Sequence, residues 1–314
     1  MNVSIIIPNY NGEELLKKNL AKVVSSLNKC EKDNTELIII DDCSSDNSLQ
    51  VIENERSRIK NKDIEIKVLK NDKNLGFSST VNRGVENAKG EIVILLNTDI
   101  LPEEDFIMPL LRHFEDKKMF AVGCMDKSLE DGKIILRGRG VGTWSRGFVV
   151  HSRGEVDKTD TFWVSGGSGA FRREIWNELN GFRSLYNPFY WEDIDLSYRA
   201  VKSGYKIVFE PKSIVLHEHQ KGIIKNIFSS NDVKRIAYRN QFIFIWTNIT
   251  DLNFVLSHLA YLPYHFMKAL INFDFAFFLG FFSAFIKIPK IVKLNIVTGK
   301  SFVLGDKEVL NQKI

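Results

Sequence analysis

Cysteine, proline and glycine are scarce in this chain of 314 residues, at 3, 7 and 20. Cys30, Cys43 and Cys124 lie far apart with no C-x-x-C spacing. That excludes a disulfide scaffold and a zinc ribbon, and it fits a reducing compartment. So little glycine and proline, beside 44% hydrophobic and 11% aromatic residues, excludes a disordered or low-complexity chain. No G-x-x-x-x-G-K-[ST] pattern is present, which argues against a nucleotide-dependent kinase or ATPase. Before Pro8 the apolar run 5–7 is too short for a secretory leader. A clean membrane span is lacking as well. Residues 252–267 are uncharged but short and broken by Pro263, and residues 269–286 carry Asp274, costly at a bilayer centre.

An excess of charge of either sign is also nearly absent, with a net of +4, but the charge is unevenly distributed. Residues 221–314 hold 12 Lys/Arg against 5 Asp/Glu, while the first 220 hold 31 against 34. Of the 23 phenylalanines, 11 fall between Phe242 and Phe285. A mildly acidic body therefore carries a basic, Phe-rich tail.

The first third alternates between two periodicities. Residues 3–7, 37–40, 64–69 and 92–96 are short apolar, β-branched runs, as expected of strands buried on both faces. Between them, Leu15, Leu16, Leu20, Val23, Val24 and Leu27 recur at helical spacing. Residues 44–53 read as a capped helix start and 79–88 as a helix closed by Gly90. This βαβαβ order predicts an α/β fold, a mostly parallel sheet flanked by helices. Residues 126–160, rich in Gly and Arg, read as a looser excursion, with Arg137, Arg139, Arg146 and Arg153 solvated. Within it Gly138-Arg139-Gly140-Val141-Gly142 is a poor dinucleotide fingerprint, because no strand and helix frame it. Residues 172–179 and 194–203 read as helices, and 206–209 as a strand. A change of texture near residue 240 suggests two units, 1–225 and a helical, hydrophobic tail 226–314.

Ligands of open parallel sheets sit beyond the carboxyl ends of the strands. Here one buried run leads into Asp41-Asp42 and another into Asn97-Thr98-Asp99. Carboxylates gathered at one sheet edge repel and resist desolvation, a cost that a divalent cation or nucleotide hydroxyls and N–H groups would relieve. Alternatively each Asp caps the following helix; two strands ending alike favour the site. A third cluster, Tyr190-Trp191-Glu192-Asp193-Ile194-Asp195, opens a helix. First-turn acids stabilise a helix by about 0.3–1 kcal/mol each, which suffices for Asp195. Three acids in four residues between aromatic walls exceed that need, and a partly buried acid suits a general base. The glycines of Ser165-Gly166-Gly167-Ser168-Gly169 form either a flexible turn or a close backbone approach to ligand. His217 is either a ligand-facing side chain or a strand-end histidine bonded to backbone.

These residues, in their order, resemble the GT-A-fold, family 2 glycosyltransferases, and within them the bacterial rhamnosyltransferase or O-antigen type. The likeness runs through Ser4-Ile5-Ile6-Ile7-Pro8-Asn9-Tyr10-Asn11 and Asp41-Asp42-Cys43-Ser44-Ser45-Asp46 to Asn74-Leu75-Gly76-Phe77 and Asn82-Arg83-Gly84. It continues with Asn97-Thr98-Asp99, Ser165 to Arg173, Gly181-Phe182 and Trp191 to Leu196, covering roughly residues 1–220. The resemblance implies a Rossmann-like nucleotide-diphospho-sugar transferase fold and inverting transfer of one sugar to a glycan or lipid-linked acceptor. Pro8, Asn9, Tyr10, Asp41, Asp42, Asn82, Asn97 and Thr98 would lie on the donor side. Asp99, with His217, would hold Mg²⁺ or Mn²⁺; the family's D-x-D is here N-T-D, so one carboxylate remains. Asp193 would be the catalytic base, and Gly166, Gly167, Trp191 and Glu192 would face the acceptor.

The Q-x-x-R-W motif of processive synthases is missing, which favours single addition. A sugar-nucleotidyltransferase would need a glycine-rich basic loop after the first strand, where Pro8-Asn9-Tyr10-Asn11 stands. A non-catalytic nucleotide-sugar-binding scaffold would not require Asp99 and Asp193. The tail's Phe-rich stretches edged by Lys268, Lys287, Lys290 and Lys293 suggest helices lying in a membrane interface through residues 240–290; the alternative is a helical subdomain packed on the catalytic domain or on another subunit. The expected location is cytoplasmic, peripheral at the inner face of the membrane, with no nucleic-acid partner and no indication of oligomeric state.

Overall fold

Apolar runs without polar alternation become the central strands of the sheet. In the computed structural model, which describes residues 1–29, 35–58, 64–130, 132–217, 228–298 and 302–311, they are β1 (Val3–Asn9), β2 (Thr35–Asp41), β3 (Ile64–Lys70) and β4 (Ile92–Leu96). These four pair in parallel, in the order β3-β2-β1-β4. Helices α1 (Glu13–Asn28), α2 (Ser48–Arg58) and α3 (Phe77–Glu86) make the crossovers. Because side chains alternate along a strand, odd and even positions face different layers. Ile5, Ile7, Leu37, Ile39 and Ile94 pack with Leu16, Leu20 and Val23 of α1. Ile6, Ile38, Ile40, Val93 and Leu95 pack with Val81 and Val85 of α3 on the opposite face.

The middle of the chain is more ordered than its composition suggests. After β5 (Ile100–Pro102) and α4 (Ile107–His113) come β6 (Met119–Glu130), β7 (Lys133–Arg137), β8 (Gly140–Ser145) and β9 (Phe148–Arg153). The expected loose excursion is thus two hairpins, β6–β7 and β8–β9. Arg139 is not solvated: its guanidinium is buried and hydrogen-bonds Asp160. The glycine-rich stretch holds β10 (Ser168–Arg172), antiparallel between β4 and β6. Gly169 is required there by packing, since a Cβ would come within 2.5 Å of Val164 Cγ1 and 2.7 Å of Ser165 O. Then follow α5 (Arg173–Glu178), α6 (Glu192–Lys202) and β11 (Lys206–His217). The latter runs far past the short strand expected, parallel to β6 and antiparallel to β5.

The tail is helical: α7 (Ser230–Asn248), α8 (Leu252–Ile271), α9 (Phe275–Phe285), α10 (Ile288–Thr298) and α11 (Asp306–Asn311). Ser229 caps α7, accepting from Asp232 N at 3.2 Å. Phe242, Phe244 and Phe277 belong to the same buried cluster as Trp176, Trp191 and Phe171, so this core runs on into the tail. Full burial of such a side chain contributes about 1.5–3 kcal/mol. The suggested seam at residue 225, like Cys30, lies outside the described residues. Among the described residues no single helix is long and apolar enough to cross a membrane; Phe275–Phe285 and Ile288–Ile296 reach that length together, bent by 54°.

Candidate active site

The register of β1 on β2 sets Pro8 opposite Ile40 and Asn9 opposite Asp41, bringing both strand ends to one edge. Asp41 accepts from Asn9 Nδ2 at 2.9 Å, Ser44 N at 3.1 Å and Ser44 Oγ at 2.5 Å. Asp42 accepts from Leu75 N at 2.8 Å, Gly76 N at 2.9 Å and Asn71 Nδ2 at 2.7 Å. Neither is a helix cap. That role falls to Asp46, which accepts Ser48 N and Glu13 N, both at 3.0 Å. The two carboxylates therefore tie the loops after β2 and β3 into a rim around Asn9, with Pro8 and Tyr10 half-exposed beside it. Asn82, expected on the donor side, engages protein instead. Its Nδ2 donates to Phe182 O at 2.7 Å and its Oδ1 accepts Phe182 N at 2.9 Å.

At the end of β4, Asn97 N donates to Gly167 O at 2.9 Å and Asn19 Nδ2 donates to Thr98 O at 2.8 Å. A Cβ on Gly167 would meet Asn97 Nδ2 at 2.6 Å and one on Gly166 would meet Phe182 Cζ at 2.9 Å. The bare backbone here fits against protein on its Cβ side. Asp99 Oδ2 stands 3.2 Å from His217 Nε2, and His217 Nδ1 stands 2.8 Å from Asp126 Oδ2. Ser128 Oγ in turn donates to Asp126 Oδ1 at 2.8 Å. Burial pulls the His217 pKa down, but hydrogen bonds with Asp126 and Asp99 push it up to about 9.

No cluster of three His, Cys, Asp or Glu able to hold a metal exists among the described residues. Asp99 and His217 nonetheless suit one. Adjacent ligands on a hard divalent cation lie about 3 Å apart, and such ions take most of their ligands from phosphate and water. A carboxylate behind the histidine, as Asp126 is, is the usual support for a ligating imidazole.

The third cluster faces the same edge. Asp193 Oδ2 accepts Gly166 N at a long 3.4 Å, so the segment touching Asn97 also touches the acid at the start of α6. Asp193 Oδ1 accepts Ile194 N at 2.8 Å. Burial raises the Asp193 pKa and backbone hydrogen bonds partly restore it. Glu192 is pushed up further, by burial and then by the Asp193 charge, and its Oε2 is buried without a partner. Both carboxyls are thus harder to ionise than free ones, Glu192 more so than Asp193. Trp191 forms one wall, its ring 5.0 Å from that of His151.

Tyr190 and Trp191 both have positive φ, 71° and 77°, which is strained backbone for bulky residues. Asn240 on α7 holds them. Its fully buried Nδ2 donates to Tyr186 O at 2.9 Å, Phe189 O at 2.9 Å and Tyr190 O at 2.8 Å. Arg239 adds Asn187 O at 2.6 Å. Asp195 is a hub and not merely a first-turn acid. It pairs with Arg183 at 2.9 Å and Arg199 at 2.8 Å and accepts from Tyr186 Oη and Asn248 Nδ2, both at 2.8 Å. Sequence reasoning missed Asp126, Asn240 and Asn248. Asp126 could have been found by the rule that flagged Asp41 and Asp99, because it follows the buried stretch 119–125 of β6. The two asparagines carry no local signal.

Comparison with known proteins follows the same residues. The family model described as glycosyl transferase family 2 matches residues 4–179. The O-antigen chain rhamnosyltransferase RfbN of Salmonella typhimurium is 26% identical over 224 residues, 70% of this chain and 67% of that protein. The undecaprenyl-phosphate 4-deoxy-4-formamido-L-arabinose transferase of Proteus mirabilis is 38% identical over 131 residues, spanning 41% of this chain and 38% of its own. A mannosyltransferase of Pyrobaculum calidifontis, solved with GDP-Man and Mn²⁺, superposes with a TM-score of 0.58 at 16% identity, covering 96% of this chain and 79% of that one. That likeness shows the fold, a GT-A sheet. With its matched domain covering more than half its length, the chain belongs to glycosyl transferase family 2.

Proposed function

We propose that this glycosyltransferase moves one hexosyl or 6-deoxyhexosyl unit, of the rhamnosyl type, from a nucleotide-diphosphate sugar to a glycan or lipid-linked acceptor, with inversion. The observation that carries the reading is the shared segment 165–168. It contacts the strand end Asn97 on one side and Asp193 on the other, so the proposed donor edge and base are joined by one short segment. The relatives named for O-antigen and undecaprenyl-phosphate chemistry support the acceptor class. Peripheral contact with a membrane at its cytoplasmic face belongs to the same proposal, as does a division of labour between residues 1–225 and 226–314.

In this mechanism the rim of Pro8, Asn9 and Tyr10, braced by Asp41 and Asp42, receives the nucleotide. Asp99 and His217, with Asp126 behind, would hold Mg²⁺ or Mn²⁺, which supplies charge stabilisation to a departing diphosphate. Asp193 accepts the proton of the acceptor hydroxyl as that oxygen attacks from the face opposite the diphosphate. Glu192 keeps its proton and orients the acceptor as a donor, while Trp191 offers an apolar wall to the sugar ring.

The test is a donor panel of UDP, dTDP and GDP sugars scored for nucleotide release with Mn²⁺ or Mg²⁺. One donor class should stand out, and Asp193→Asn should slow transfer by roughly 10²–10⁴ while leaving donor binding. Transfer by that variant at the wild-type rate overturns the assignment of the base.

A further inference from the structure

Helix α8 is apolar on both sides: Phe254, Val255, Leu262, Phe266 and Ala269 pack on the core, yet a second apolar stripe is left outside. The side turned to solvent carries Leu252, Leu256, Leu259, Pro263, Met267, Leu270 and Ile271, at steps of three and four that form one stripe. The side turned inward holds His258, which is 3% exposed and bonded to Gly147 O and Trp246 Nε1. Phe275, Leu279, Phe282, Phe285 and Ile286 extend the apolar surface along α9, and Val292 and Ile296 along α10. Phe273, between α8 and α9, is 77% exposed, and Ile286 79%. A helix on a globular surface buries its apolar stripe, and soluble monomers keep contiguous apolar patches small.

The charges around this face have one sign. Lys268, Lys290 and Lys293 are exposed beside it and Lys287 is half-buried, and none pairs with a carboxylate among the described residues. The acids nearest it are already engaged, Asp274 by Lys234 at 2.7 Å and Tyr238 Oη at 2.8 Å, and Asp251, just before α8, by Lys307 N at 3.0 Å. Burial, Arg239 and Lys290 together push the Lys287 pKa down, a sign of cations crowded without an anion. At the edge of the stripe, Arg146, Tyr264 and Lys268 line a cleft of about 300 Å³.

We propose that α8, α9 and α10 lie in the plane of an anionic bilayer, with the apolar stripe in the acyl boundary and the lysines among the headgroups. The proposal rests on the peripheral membrane contact stated above and gives it a surface and a lipid charge. A second copy of the chain fits this face less well, since face-to-face pairing would bring like charges together. Spanning fits less well too, because Lys287, Lys290 and Lys293 fall within the bent pair and would sit in hydrocarbon.

The experiment is co-sedimentation of the full chain with vesicles of phosphatidylcholine alone or mixed with phosphatidylglycerol, at low and high salt. The chain should bind the mixed vesicles, lose most of that binding at high salt, and be released by alkaline carbonate. The exposed-face variants Leu256→Glu with Phe282→Glu should bind at least roughly tenfold more weakly. Lys290→Glu with Lys293→Glu should lose the preference for phosphatidylglycerol. Nucleotide release to a water-soluble acceptor should be unchanged in all four substitutions, so a defect there would speak against the transferase reading and not against docking. Failure of the wild type to bind either vesicle overturns the proposal. So does resistance to carbonate, or a dimer in sedimentation velocity that the Leu256→Glu and Phe282→Glu substitutions dissolve.

Discussion

Asp193 and Glu192 are neighbours in sequence, burial raises both their pKa values, Glu192 further, and the proposed function gives them opposite tasks. A base whose pKa is raised must lose its proton before it can work. Transfer should therefore fall as pH drops through a value above the ordinary aspartate range of about 3.9. A kcat profile checks this; an acid limb at or below the ordinary range argues for a different base. Asp193→Asn should reduce kcat by roughly 10²–10⁴, the usual worth of a general base, without weakening donor binding. Glu192 gives a stability signature. Its folded pKa is raised, so its contribution is fully present below the unfolded value and is lost as pH rises through the folded one. Glu192→Gln mimics the protonated form, and its thermal midpoint should gain on the wild type as pH climbs from about 4.3 toward neutrality. A constant difference across that range would mean that Glu192 is ionised.

At the scale of elements, the loop leading into Asp193 is held from α7. Asn240→Ala removes two N–H donors shared among three carbonyls, at a cost of roughly 2–4 kcal/mol. The expected outcome is a lower melting midpoint together with a fall in kcat at unchanged donor affinity, because the donor rim does not touch Asn240. Equal losses in both parameters would make the residue a general stabiliser. Asp195 works differently. Two arginines hold its pKa below the usual range against burial, so its contribution exists above the unfolded pKa and disappears as pH falls through the folded one. Asp195→Asn strands Arg183 and Arg199 in the interior and should cost roughly 3–5 kcal/mol, read by denaturant unfolding.

At the scale of the whole molecule, α11 and α7 reach back into the body. Asp306 is fully buried and bonds Lys202 Nζ and Tyr198 Oη, both at 2.6 Å, on the helix that carries Asp193. A chain ending near residue 225 loses these contacts along with Asn240 and Asn248. It should show a lowered or absent cooperative melt and no transfer; full activity would make the tail an independent unit. Strands β1 to β4 were legible because an apolar β-branched run has one stable place, a sheet buried on both sides. Strand β10 was not, because its glycine and alanine answer to β4 and β6, neighbours distant in sequence. Asp193, Asp99 and His217 were singled out as candidates from motif order, and the last two lie 3.2 Å apart, whereas Asp126 lies 91 residues from the imidazole it bonds and Asn240 some 50 from the carbonyls it holds. The tail's phenylalanines divide likewise: Phe242, Phe244 and Phe277 are core, while Phe273, Phe275, Phe282 and Phe285 face outward. Composition alone does not sort them.

Asn240 also sets the terms for anyone exchanging parts between relatives. The segment from Tyr186 to Trp191 is shaped by an amide on another helix, so moving it alone into a foreign scaffold leaves its carbonyls without their donor. A chimera must carry α7 with the loop as one module, and natural variation at position 240 is expected to track variation in the loop it pins.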